Sequence, residues 1–288
     1  MKIHFPAIAS YPTQIRVGLF LLILLLLWLP LAAPIYFWGS DSNLITILTM
    51  GLLFFEFVVL LQFWGKLVYR QTNLLKSYGL SVSRRNGLEL LKGLDIGLLL
   101  TLTLFFLEGQ LGWLVWQSSD KLPRLVLEGL ISALGVGLAE ELVFRGWLLD
   151  ELERDYSLKN SLWISSWLYA LLHFIKPLPE IIRTFPQFPA LLLLGLTLVW
   201  AKRSSRGRLG LPIGLHAGLV WGYYIINVGQ LVRYSDRVPP WITGIDGNPL
   251  AGLMGLMFLG AIAFAFWLRQ KAGGQRSRGA EEQGRIKF

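Results

Sequence analysis

Apolar runs about as long as a bilayer is thick, separated by short polar connections, recur along the whole chain. This pattern predicts membrane-spanning helices, because the runs, about 20 residues each, are long enough to cross a bilayer and leave no room for a separate soluble domain. Eight spans are expected, at approximately Arg16 to Trp38, Leu44 to Tyr69, Leu88 to Trp116, Leu125 to Leu149, Leu162 to Ile175, Ala190 to Lys202, Leu211 to Leu231 and Pro249 to Leu268. The fifth and sixth are short. The Pro-rich connection Lys176 to Pro189 is therefore expected to lie at the interface or to re-enter the bilayer. Val17 to Trp28, followed by Leu31-Ala32-Ala33, has the outline of a signal peptide. Apolar character resumes through Ile35-Tyr36-Phe37-Trp38, which favours an uncleaved first helix. The expected fold class is all-α, a polytopic membrane bundle of about eight transmembrane helices.

Composition agrees. Hydrophobic residues make up 54% of the 288-residue chain and charged residues 16%, well away from soluble averages. A net charge of +9 would suit nucleic acid. However, the basic residues sit in short connections between apolar runs, where they act as topology signals, so no nucleic-acid partner is expected. With the N-terminus drawn inside, inner segments hold 19 of the 27 Lys and Arg and outer loops hold 6. The expected localisation is an integral multi-pass membrane protein with both termini cytoplasmic. Trp38, Trp64, Trp113, Trp116, Trp147, Trp200, Trp241 and Trp267 fall near span ends, as interfacial aromatic belts require. The absence of cysteine excludes disulfides, thiolate metal sites and a cysteine nucleophile. Ala272 to Phe288, Gly-rich and charged, is expected to be a disordered tail.

The chemistry concentrates in Ala139-Glu140-Glu141-Leu142-Val143-Phe144-Arg145. Each ionisable side chain at mid-bilayer costs about 2.5–3.5 kcal/mol on insertion scales, so three in one span point to function. Glu141 and Arg145 are four apart and can pair. Glu140 is turned about 100° from Glu141 and has Phe144 at its own i+4 position, so it is the free carboxylate, suited to proton transfer. The bland reading is a buried ionic knot that only fixes packing. Two of the three histidines, His173 and His216, lie in later spans, and Tyr169 shares the face of His173. Small residues at Gly214, Gly218 and Gly222 let another helix approach the face next to His216. Counted from the loops, Glu140, His216 and His173 lie at about 15, 10 and 20 Å depth, so they meet only if tilt or irregular helix closes the spread. Glu56, and Asp95 near Lys92, are expected in ion pairs with each other or with interfacial basic residues. Glu108 and Glu128 are expected to reach water.

Glu140, Glu141 and Arg145, then Tyr169 with His173, then His216, resemble the CAAX prenyl protease and bacteriocin-processing (CPBP) family of intramembrane endopeptidases. Its pattern is Glu-Glu-x-x-x-Arg, aromatic-x-x-x-His and His-x-x-x-Asn on separate helices. Tyr169 replaces the usual Phe, and Val220 stands where Asn is usual. The resemblance covers about Leu125 to Leu231, so residues 1–124 are expected to form an N-terminal three-helix region, 125–231 a catalytic core, and 232–288 a last helix and tail. It implies hydrolysis of membrane-associated protein or peptide substrates. Glu140 would activate water, His173 and His216 would position that water or stabilise the oxyanion, and Glu141 and Arg145 would hold the first motif, with Tyr169 supporting. The family has been described both as metalloproteases and as metal-free glutamate proteases. Glu140, His173 and His216 could form an open zinc site. The lack of His-Glu-x-x-His and of Asn at 220 favours no obligatory metal. A non-catalytic binding or scaffolding protein of the same fold is the main alternative, supported by Val220. A proton-coupled transporter is a third reading, without the paired half-repeats that would support it.

Reporter fusions at Lys287 and within Gly39 to Asn43 should report opposite sides of the membrane; same-side signals would overturn the eight-span drawing.

Overall fold

The computed structural model describes the backbone of residues 5–285 and the side chains of residues 5–272. Helix α1, Thr13–Trp38, packs on α2, Ser42–Leu67, whose start is capped by the Asp41 carboxylate accepting from the Asn43 and Leu44 amides. After a short turn α3, Leu74–Ser77, helix α4 runs over Arg84–Gln110 with Ser83 as its cap. Helix α5, Leu122–Glu141, passes through a π-helical turn, Leu142–Leu148, into α6, Leu149–Asp155, as one 34-residue span. Helix α7, Leu158–Leu172, starts on a Ser157 cap. Helix α8, Leu178–Thr184, joins α9, Phe188–Ser204, through a 3₁₀ turn at Phe185–Gln187. Helix α10 is Gly210–Val228, α11 is Pro240–Thr243 and α12 is Leu253–Arg285.

Among the described residues seven helices are long and apolar enough to cross a membrane, and α7, expected as an eighth span, is not one of them. Its 15 residues span about 22 Å, short of a bilayer core, and it packs against α9. The chain is a predominantly helical, multi-pass membrane protein. Leu21, Leu22, Leu25 and Leu26 on α1 stay exposed, as a lipid-facing surface requires.

Several expectations need correction. The third span does not reach Trp116: α4 ends at Gln110, and Leu114–Trp116 (β1) pairs antiparallel with Val232–Tyr234 (β2). This ribbon packs on Leu104 and Phe105, one turn before Glu108. Glu108 is consequently 0% exposed with both carboxylate oxygens unpaired, rather than reaching water. Glu128 is partly exposed, its side chain 42% accessible, and pairs with Arg124. Among the described residues, Glu56, Lys92 and Asp95 form no ion pair, and Glu56 leaves one carboxylate oxygen buried without a partner. The expected disordered tail is helical as far as Arg285; residues 286–288 lie outside the described range.

Two features fix the helices that carry chemistry. Glycines of α10 face α4 directly: a Cβ on Gly214 would lie 2.0 Å from the Leu90 carbonyl, and one on Gly218 2.3 Å from that of Leu94. Gly93 and Gly97 of α4 return the same closeness against Leu211 and Leu215. Without a solvent-driven hydrophobic force between helices, such backbone-to-backbone packing holds them together. At the other end, buried Arg16 of α1 binds buried Glu151 of α6 at 3.0 Å, and the Tyr69 hydroxyl donates to the same carboxylate. Arg16, read from sequence as a topology charge, thus anchors the end of the α5–α6 span.

Gly214→Ala should lower thermal stability by about 1–3 kcal/mol, the usual cost of overpacking. Gly260→Ala, where nothing lies within 4 Å of a new Cβ, should be neutral within about 0.5 kcal/mol. Thermal unfolding in detergent compares them; equal effects would show that the seam is not tightly packed.

Candidate active site

Helices α5, α7 and α10 bring the sequence-predicted residues together. Glu140 Oε2 lies 3.9 Å from His173 Nε2 and 3.8 Å from His216 Nε2. The spread in depth expected along straight helices is closed in part by local irregularity, since α7 ends at Leu172 and His173 caps it. His173 Nδ1 donates to the Tyr169 carbonyl at 2.7 Å, one turn back. A carbonyl can only accept, so Nδ1 carries a hydrogen and a neutral His173 presents the Nε2 lone pair.

Glu141 takes a second partner that the spacing did not reveal. Its Oε1 accepts from Arg145 Nη1 at 2.8 Å and meets His216 Nδ1 at 2.9 Å. Both Glu141 and Arg145 are 0% exposed. Bonding to this carboxylate places the hydrogen of His216 on Nδ1 and leaves Nε2 towards Glu140. Arg145 also donates to the Gly195 carbonyl at 3.3 Å, and its guanidinium lies 4.2 Å above the Tyr169 ring. Tyr169 is thus more than a spacing match: its ring also lies edge-on to His173 and His216, with centroids at 4.6 and 6.3 Å. This fully buried aromatic supports both imidazoles and the cation.

Glu140 is not engaged in the same way. Its side chain is 31% exposed, yet Oε2 is buried without a hydrogen-bond partner. A cavity of about 280 Å³ is lined by Glu140, Tyr169, His173, His216 and Val220, with Leu191, Leu219 and Phe258 among its apolar walls. Val220 offers no polar atom there. Gln187 and Asn248 also line it, and sequence reading missed both because neither lies near a motif. Asn248 precedes the turn into α12, where its Oδ1 accepts from the Leu250 amide.

A zinc ion held by Glu140, His173 and His216 would set donors about 3.4 Å apart, given bonds near 2.1 Å and tetrahedral geometry. The two measured separations from Glu140 Oε2 are longer, and among the described residues no group of three His, Cys, Asp or Glu is placed to hold a metal ion. The three therefore do not fit zinc as placed. They do fit a water-sized bridge, as a polar separation beyond hydrogen-bond length invites.

A carboxylate flanked by imidazoles, reached from an apolar cavity within a membrane bundle, has the groups that proton transfer needs. Residues 121–222 match the family described as Rce1-like, Type II CAAX prenyl endopeptidase Rce1-like. This stretch, about a third of the chain, contains Glu140, Glu141, Arg145, Tyr169, His173 and His216. The match covers the motifs by which the sequence resembles the CPBP family, and the matched family is one of endopeptidases. No curated protein and no solved structure matches. Asn248 and Phe258, on the cavity wall, lie outside the matched segment.

Glu141→Gln should strand Arg145 and destabilise the fold by about 3–5 kcal/mol, the usual cost of breaking a buried ion pair. Glu140→Gln should change stability by less than about 1 kcal/mol. Thermal unfolding and abundance in membranes measure both, and equal losses would favour the purely structural ionic knot.

Proposed function

We propose that the protein is an intramembrane endopeptidase that hydrolyses membrane-associated protein or peptide substrates by a water activated at Glu140. The observation that carries this reading is the approach of Glu140 Oε2 to within 3.9 Å of both imidazole Nε2 atoms at the cavity. A water between them donates one hydrogen to Glu140 and the other towards an imidazole lone pair. As its oxygen attacks the scissile carbonyl, Glu140 takes the proton and passes it to the departing amide nitrogen. The peptide C–N bond breaks, a C–O bond forms, and the proton leaves on the new amine. An imidazole that takes the second water hydrogen at Nε2 donates to the oxyanion and gives that proton up to the departing amine as the carboxylate product forms, which returns the site to its starting state. Glu141 stabilises that positive charge on His216 and fixes its ring.

The apolar cavity wall suits a substrate segment drawn from the bilayer, and both chain termini are proposed to lie on the cytoplasmic side. The same reading assigns no obligatory metal, since the donor separations suit a bridging water better than zinc bonds. Val220 gives the non-catalytic alternative its support, because a wall position facing the histidines carries no hydrogen-bonding group.

The test uses full-length protein in nanodiscs and a substrate found by comparing membrane peptides from cells with and without the protein. Glu140→Gln should reduce cleavage at least a hundredfold with folding intact. Val220→Asn should raise turnover and give no rescue in the Glu140→Gln background. Cleavage should survive chelation; loss that zinc restores would assign a metalloprotease. No cleavage by the parent or the Val220→Asn protein, despite folding and substrate binding, would establish the scaffold reading.

A further inference from the structure

The π-helical turn at Leu142–Leu148 has a consequence for its own backbone. At its end the Leu149 amide donates to the Phe144 carbonyl, five residues back. The α-helical ladder of α6 then resumes with four-residue spacing, so the register passes over the Arg145 carbonyl. A skipped carbonyl inside a membrane bundle has no water to turn to and needs another donor. Lys202, in the last turn of α9, supplies it: Nζ donates to the Arg145 carbonyl at 2.5 Å. Lys202 is only 8% exposed and forms no ion pair among the described residues, so its buried ammonium is committed to this one backbone atom. Helix α9 holds the same residue twice, because the Gly195 carbonyl takes the Arg145 guanidinium.

We propose that Lys202 is a positioning residue: by occupying the carbonyl that the π-helical turn leaves free, it stabilises that turn and so sets Glu140 and Glu141 against His216. The turn follows Glu141 directly. If it relaxed to regular α-helix, one residue of register would be taken out and the two glutamates would rotate by about 100° relative to α6. Glu141 would then leave His216, and Glu140 its place between the imidazoles. The effect on turnover rests on the protease reading above; the effect on the turn does not.

Two measurements on the full chain in nanodiscs separate these parts. The chain has three histidines, so ¹⁵N-histidine labelling resolves each imidazole, assigned by single His→Gln variants. In Lys202→Met the His216 Nδ1 resonance should move, and in Lys202→Arg, which keeps a donor, it should return towards the parent value. Kinetically, Lys202→Met should lower kcat about 10- to 100-fold with KM within twofold, as misplacement of a catalytic group does, and Lys202→Arg should recover most of it. Should the Met variant fail to accumulate, Lys202→Gln takes its place in both measurements. An unchanged His216 signal in Lys202→Met overturns the proposal. A moved signal with unchanged kcat overturns its catalytic consequence. If the parent cleaves nothing, the protease reading fails, and the imidazole signal alone decides whether Lys202 holds the turn.

Discussion

The site depends on one buried carboxylate oxygen. Glu141 Oε1 is shared by the Arg145 guanidinium and the His216 imidazole at 2.8 and 2.9 Å, all within the bundle. Removing two charges from water is costly, and a shared hydrogen-bonded contact offsets that cost only if its geometry is kept. Much of the surrounding structure serves that geometry. The α4–α10 glycine seam sets the position of His216, the Arg16–Glu151 pair anchors the far end of the span carrying Glu141, and Tyr169 lies beneath Arg145. Because Glu141 absorbs the cation, Glu140 keeps an unpaired oxygen at the cavity.

The two adjacent glutamates thus take opposite roles through helix geometry alone. Glu141 is sealed and saturates charge, whereas Glu140, one residue earlier, faces an opening. The π-helical turn that follows adds a local change of register between the glutamates and α6, and α9 compensates with Lys202. Irregular backbone inside a membrane is tolerated where protein groups satisfy it. Here the compensating group lies 57 residues away in sequence.

Spans, helical class and the pairing of Glu141 with Arg145 were legible in the chain, because apolar length and i,i+4 spacing are local properties. The close approach of another helix to α10, which carries His216, was legible for the same reason: 214, 218 and 222 form one stripe of small residues. Other contacts depend on packing between distant segments and left no local mark. The second partner of Glu141, the π-helical turn, the lysine under Arg145 and the entry of Asn248 into the cavity are of this kind. Glu108 shows the same limit, since a short ribbon formed with residues more than a hundred positions away covers a side chain expected at water.

The central claim is that the space between Glu140 and the two imidazoles is occupied by the reacting water. An experimental structure of the full chain in a lipid environment, at a resolution that shows ordered water and with anomalous scattering recorded at the zinc edge, tests it most directly. The account predicts one oxygen within hydrogen-bond reach, about 2.6–3.2 Å, of Glu140 Oε2 and at least one Nε2, with no anomalous signal. An anomalous peak about 2.1 Å from Glu140, His173 and His216 would contradict it, as would a direct bond closing Glu140 onto either histidine.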